Sequence, residues 1–138
     1  MHQHITHTRV RYGETDQMGY VYYGRYAEYL EVGRVESLRS LGITYKEMEA
    51  RGVMLPVLHL DIKYIKPINY DSLVEIRTTI RELPLSRIHF EHELYVENEL
   101  KSIAKVTLVF VDMIKNKPTK APDDLLEVLR PYFNTESA

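Results

Sequence analysis

Tyr12-Gly13-Glu14-Thr15-Asp16-Gln17-Met18-Gly19-Tyr20-Val21-Tyr22-Tyr23-Gly24-Arg25-Tyr26 is the stretch on which the fold turns. Ahead of it, residues 4–12 alternate: Ile5, His7, Arg9 and Arg11 against Thr6, Thr8, Val10 and Tyr12. With frequent β-branched residues, this predicts a strand. Residues 13–19, bounded by two glycines, read as a loop. From about Tyr22 to Leu41 the period changes. Tyr26, Tyr29, Leu30, Gly33, Ser37, Leu38 and Leu41 recur at threes and fours, which predicts a helix. At ~1.5 Å per residue it is a rod of roughly 30 Å. Gly33 inside it costs about 1 kcal/mol relative to Ala; a close crossing against sheet backbone would justify that. Gly42 suits the stop. Of the 11 tyrosines, Tyr20, Tyr22, Tyr23, Tyr26 and Tyr29 fall close together. Their plain reading is packing at a helix–helix contact between subunits.

Beyond the rod, Thr44-Tyr45-Lys46-Glu47 has capping-box spacing and predicts a short helix to Ala50, ended by Gly52. Four alternating runs follow. Their apolar positions are Leu58, Leu60, Ile62 and Tyr64; then Val74, Ile76, Thr78 and Ile80; then Ile88, Phe90, His92, Leu94 and Val96; then Ala104, Val106, Leu108 and Phe110. Four successive strands with one polar face each predict an antiparallel meander. Ala121-Pro122-Asp123-Asp124 starts a last helix, to about Leu129. The fold class expected is α+β, one antiparallel sheet wrapped around a long central helix. Val109 and Val111 put apolar bulk on the outer face of the last strand. An open sheet also has edges that need cover, and together these argue for an oligomer.

At 138 residues the expectation is a single domain, 1–138. Lys+Arg 18 against Asp+Glu 20 leaves −2, which argues against nucleic acid as the main partner. The absence of cysteine excludes a disulfide scaffold, a zinc–thiolate site and a thiol nucleophile. No apolar run approaches the ~20 residues of a membrane span, and the first residues do not resemble a signal peptide. Without cysteine, the expectation is a cytoplasmic protein with no membrane partner.

A helix N-terminus carries unpaired N–H donors and about half a positive charge. Ser, Thr, Asp or Asn normally caps them. Here Val21, Tyr22, Tyr23 and Gly24 stand at the start, leaving the donors free for a ligand oxygen. Asp16, just upstream, could set its carboxylate beside that end and make an acyl-transfer site. The plain alternative is an Asx turn at Asp16. Glu14 is the nearest rival carboxylate and otherwise a solvated loop acid. His2, His4 and His7 form a loose N-terminal group with adventitious metal binding at most. His89 and His92 fall on opposite strand faces, with His92 inward as a core histidine. Neither Gly-x-Ser-x-Gly nor a phosphate-cradling Gly-x-x-x-x-Gly-Lys is present.

The quoted stretch resembles the signature of the 4-hydroxybenzoyl-CoA thioesterase family, whose members are hotdog-fold acyl-CoA thioesterases. The family pattern is an aromatic residue, a short loop, Asp, two variable residues, Gly, any residue, Val, then an aromatic pair entering the helix. The likeness runs on through Pro67-Ile68-Asn69-Tyr70-Asp71 and the strands after it. It implies a hotdog fold and an acyl-CoA substrate. It implies Asp16 as nucleophile or general base and the Tyr23 N–H as the donor to the thioester carbonyl. Gly19 matches the glycine that lets the loop turn close to substrate. Glu31 matches an acidic position that touches the acyl group, and Ser86 a serine near the CoA nucleotide. The hydroxybenzoyl enzyme has basic residues just before that serine; here Leu83-Pro84-Leu85 stand there. That leaves Arg87 to offer a guanidinium for phosphate. A branch linked to the Tol–Pal cluster often has histidine where Tyr23 stands. Met54, Leu55 and Val57 shape the acyl pocket or are core, and His59 lines the acyl tunnel or a subunit contact. No metal or organic cofactor is required. The site is expected between two subunits of a homodimer or homotetramer. The rivals are a non-catalytic acyl-CoA or acyl-carrier binder and a hotdog dehydratase or hydratase. The latter uses an Asp-x-x-x-x-His stretch at the helix entrance, where this chain has no His.

Overall fold

A computed structural model describes residues 1–133. Its strands are β1 (His2–Arg9), β2 (Val53–Met54), β3 (Val57–Tyr64), β4 (Leu73–Ile80), β5 (Arg87–Val96), β6 (Glu99–Val109), β7 (Val111–Asp112) and β8 (Lys117–Pro118). Its α-helices are α1 (Tyr26–Ser40), α2 (Tyr45–Ala50) and α3 (Asp123–Leu129). The large sheet is antiparallel, in the order β1-β4-β5-β6-β3, with α1 packed over β1 and β4. This is the expected hotdog arrangement, α+β, a sheet wrapped around a long helix.

The four-strand meander needs correcting. Only β4, β5 and β6 follow one another; β3 lies beyond β6 and β1 beyond β4. The link from β3 to β4 closes no hairpin. It is tied instead to the loop of residues 15–21: the Val21 N–H donates to Ile68 O at 2.8 Å and the Tyr70 N–H to Gly19 O at 3.0 Å. Ile68 is buried under it at 0% exposure. A second correction concerns Val111. The long strand stops at Val109, and Val111 pairs with Met54 in a small sheet, β2-β7-β8, where it is buried. The edge strand β3 also exposes apolar side chains, at Val57, Leu58, Leu60 and Tyr64.

The rod begins later than its period suggests. A 3₁₀ turn, Tyr23–Arg25, leads into α1, which buries Tyr26, Tyr29, Leu30, Gly33, Ser37 and Leu38. Gly33 does cross the sheet closely, but over side chains rather than backbone. A Cβ there would stand 2.7 Å from both Ile76 Cγ2 and Thr78 Oγ1, and 3.2 Å from His92 Nδ1. Overpacking of this kind costs about 1–3 kcal/mol, against a helix-propensity gain of about 1 kcal/mol. Gly33→Ala is therefore expected to lower the urea midpoint. An unchanged midpoint would mean that Ile76 and Thr78 give way.

Thr44 caps α2, its hydroxyl accepting the Glu47 N–H at 3.2 Å. His92 is fully buried, with Nδ1 3.0 Å from Thr78 Oγ1. Burial, then Arg34, holds it down to about 3, so it stays neutral. The N-terminal histidines divide between the two faces of β1: His2 is buried, whereas His7 stands 3.6 Å from Glu75 on the outer face. Among the described residues no helix is long and apolar enough to cross a membrane.

Candidate active site

The loop ahead of α1 is a tight hairpin. Thr15 and Val21 form an antiparallel bridge, and the Asp16 N–H donates to Tyr20 O at 2.8 Å. The Gly19 N–H donates to Asp16 O at 3.0 Å, with Gly19 at φ +78°. That left-handed turn favours glycine, in keeping with its place in the pattern. Asp16 Oδ1 accepts the Met18 N–H at 2.9 Å and the Tyr20 N–H at 3.3 Å. The Asx-turn reading thus holds for one carboxylate oxygen. Oδ2 has no hydrogen-bond partner among the described residues. The turn aims the carboxylate rather than consuming it.

Half-buried Asp16 lines two open cavities. One, of about 270 Å³, is lined also by Tyr20, Val21, Tyr23, Tyr26, Tyr64 and Ile65. The other is walled by Tyr12 and Tyr70, whose rings meet edge-on at 5.7 Å, and by Gly19.

The donors expected at the helix end belong to the 3₁₀ turn before it. The Tyr22 N–H is taken by Glu14 O at 2.8 Å and the Arg25 N–H by Tyr22 O at 2.9 Å. Between them the Tyr23 and Gly24 N–H groups find no acceptor among the described residues, and no side chain caps the turn or α1. Tyr64, at the end of β3, donates its hydroxyl to Tyr23 O at 3.2 Å and meets the Tyr26 ring edge-on at 4.7 Å.

Glu14 is not the solvated loop acid expected. It is 6% exposed. Its Oε1 accepts the Arg11 N–H and the Tyr29 hydroxyl, both at 2.8 Å, and Oε2 accepts the Arg11 guanidinium at 3.1 Å. Burial raises its pKa, but the hydrogen bonds from the Arg11 amide, Tyr29 and the Arg11 side chain outweigh it and hold the carboxyl below its usual value. Both oxygens are occupied, so Glu14 does not compete with Asp16 for a substrate. No spacing in the sequence announced this, nor the approach of Tyr64 to Tyr23.

Within one copy of the chain, Asp16 lines one cavity with Tyr23 and the other with Gly19. Ser86 and Arg87 line a different cavity, of about 230 Å³, with His89 and the Leu83-Pro84-Leu85 run. Glu31 is exposed on α1 and Leu55 is buried in the core. His59 is exposed on β3, paired with Thr107, whose hydroxyl is 2.9 Å from His89 Nδ1. Glu31, Leu55 and His59 line neither cavity.

The fold, with the relatives it matches, is that of a hotdog thioester hydrolase. The thioesterase-like superfamily model matches residues 10–129. YneP of Bacillus subtilis (strain 168) is 35% identical over 119 residues, 86% of each chain. The acyl-CoA thioester hydrolase YbgC of Escherichia coli O6:H1 is 31% identical over 119 residues, covering 86% of this chain and 89% of that one. The crystal structure of the DHNA-CoA thioesterase from Staphylococcus aureus matches with a TM-score of 0.91 at 30% identity, over 100% of this chain and 97% of that one. The chain belongs to the thioesterase-like superfamily and is a thioester hydrolase.

Proposed function

We propose that the protein hydrolyses an acyl-CoA thioester to free acid and CoA, with Asp16 as nucleophile or general base and the Tyr23 N–H as donor to the carbonyl oxygen. One observation carries this: Asp16 and Tyr23 line the same cavity, and among the described residues neither Asp16 Oδ2 nor the Tyr23 N–H has a hydrogen-bond partner. In the general-base route Asp16 takes a proton from water as its oxygen attacks the carbonyl carbon. Negative charge gathers on the carbonyl oxygen beside the amide. The C–S bond then breaks and CoA leaves as thiolate. A single donor in such a hole is worth about 3–4 kcal/mol, and general-base help roughly 10²–10⁴-fold. These suffice for an already electrophilic carbonyl, and no metal or organic cofactor enters the scheme.

The same reading makes the working unit a homodimer or a dimer of dimers, with residues 1–138 as one domain acting in the cytoplasm. Support for pairing comes from β3, an edge strand whose Val57, Leu58, Leu60 and Tyr64 are exposed. Tyr64 also borders the Asp16 cavity, so a partner along this edge would help close it. Glu31, assigned to the acyl side, His59, assigned to the acyl tunnel or a subunit contact, and Ser86 and Arg87, assigned to the CoA side, would meet one substrate across such a contact, while Leu55 takes its core reading.

The test is a panel of acyl-CoA esters read by release of free thiol. Thiol release from one class of ester is the result expected. Tight binding with no thiol released would instead indicate an acyl-CoA or acyl-carrier binder, and hydration of an enoyl-CoA a hydratase.

A further inference from the structure

Glu14 lies two residues before Asp16 and touches both halves of the site. Its carbonyl oxygen accepts the Tyr22 N–H at 2.8 Å, the amide immediately ahead of the Tyr23 donor. Its carboxylate is gripped from two elements. The Tyr29 hydroxyl comes from α1, and the Arg11 amide and guanidinium come from the segment entering the loop. Tyr29 is 2% exposed. Burial and then the adjoining carboxylate push its phenol well above the ordinary tyrosine range, so it stays protonated and donates. The loop that carries Asp16 is thereby fastened to the rod whose entrance carries the Tyr23 and Gly24 amides.

We propose that Glu14 is a positioning residue of the hydrolysis: clamped by Tyr29 and Arg11, it sets the separation between the Asp16 carboxylate and the Tyr23 amide. The proposal rests on the reading of Asp16 and Tyr23 given above. Misplacement of a reacting group by about 1 Å can cost on the order of 100-fold in rate. A slackened clamp should therefore appear in kcat and leave binding little changed.

The informative variant is Tyr29→Phe. It deletes one donor, keeps the ring in the core and leaves Arg11 on the carboxylate, so folding is retained. Its kcat for the best acyl-CoA of the panel is expected to fall by about 10- to 100-fold, with KM nearly unchanged. Glu14→Ala is expected to fall at least as far. The decisive measurement is the double variant. If Glu14 acts through Asp16, Tyr29→Phe costs little further rate in the Asp16→Asn background. A merely structural contact gives losses that multiply. Unchanged kcat in Tyr29→Phe, or multiplying losses in the double variant, overturns the positioning role while Asp16→Asn still fails. Wild-type turnover in Asp16→Asn overturns the underlying site reading, and this proposal with it.

Discussion

Asp16→Asn should lose roughly 10²–10⁴-fold in kcat, the worth of a general base, with little loss of stability. The amide keeps an oxygen where Oδ1 accepts the Met18 and Tyr20 N–H groups, so the turn survives. What is lost is the charge and basicity at the free oxygen. Thiol release on the acyl-CoA panel gives the rate, and circular dichroism with a thermal melt gives the fold. Turnover at the wild-type level in a folded variant would remove Asp16 from the chemistry. The expected loss excludes the Asx turn as its whole role, because that turn is intact in the variant.

The second large effect is expected at the edge strand. Leu60 is 41% exposed on β3. If β3 pairs with its counterpart in a second copy, Leu60→Glu places a charge on a covered apolar face, at a cost of several kcal/mol. Each ~1.4 kcal/mol is tenfold in a dissociation constant, so the assembly should weaken on the order of 100-fold or more. Sedimentation would then report a monomer at concentrations where the wild type is assembled. Thiol release should fall with it, since Tyr64, at the end of the same strand, borders the Asp16 cavity. An assembled Leu60→Glu protein would place the contact elsewhere, and a monomeric variant of full activity would show that one copy suffices.

Much of this was legible because the loop and rod carry their own punctuation. The change from a period of two to threes and fours marks where β1 gives way to α1, and a stretch without a capping residue leads to the free amides at Tyr23 and Gly24. Gly33 betrayed a close crossing by its cost, and Thr44 its cap by its spacing. Alternation also put His89 and His92 on opposite faces. What stayed hidden depends on contacts between distant residues. Alternation along β3 says which face is apolar but not which strand lies beside it, so the place of β3 next to β6 was missed. Val111 continues the alternation of β6 in sequence, yet the chain turns at Phe110 into another sheet. The burial of Glu14 depends on Tyr29 reaching it from α1, and no local spacing encodes that. The 3₁₀ turn before α1 has the same side-chain types as a helix and differs only in its hydrogen bonds.

The hairpin bearing Asp16 is braced by main-chain bonds to residues 68 and 70, far along the chain. A protease nick in that short connector, or its local melting on warming, would let the carboxylate drift while the large sheet remained whole. Heat inactivation should accordingly run ahead of bulk unfolding, and samples can look native by spectroscopy after they have stopped working.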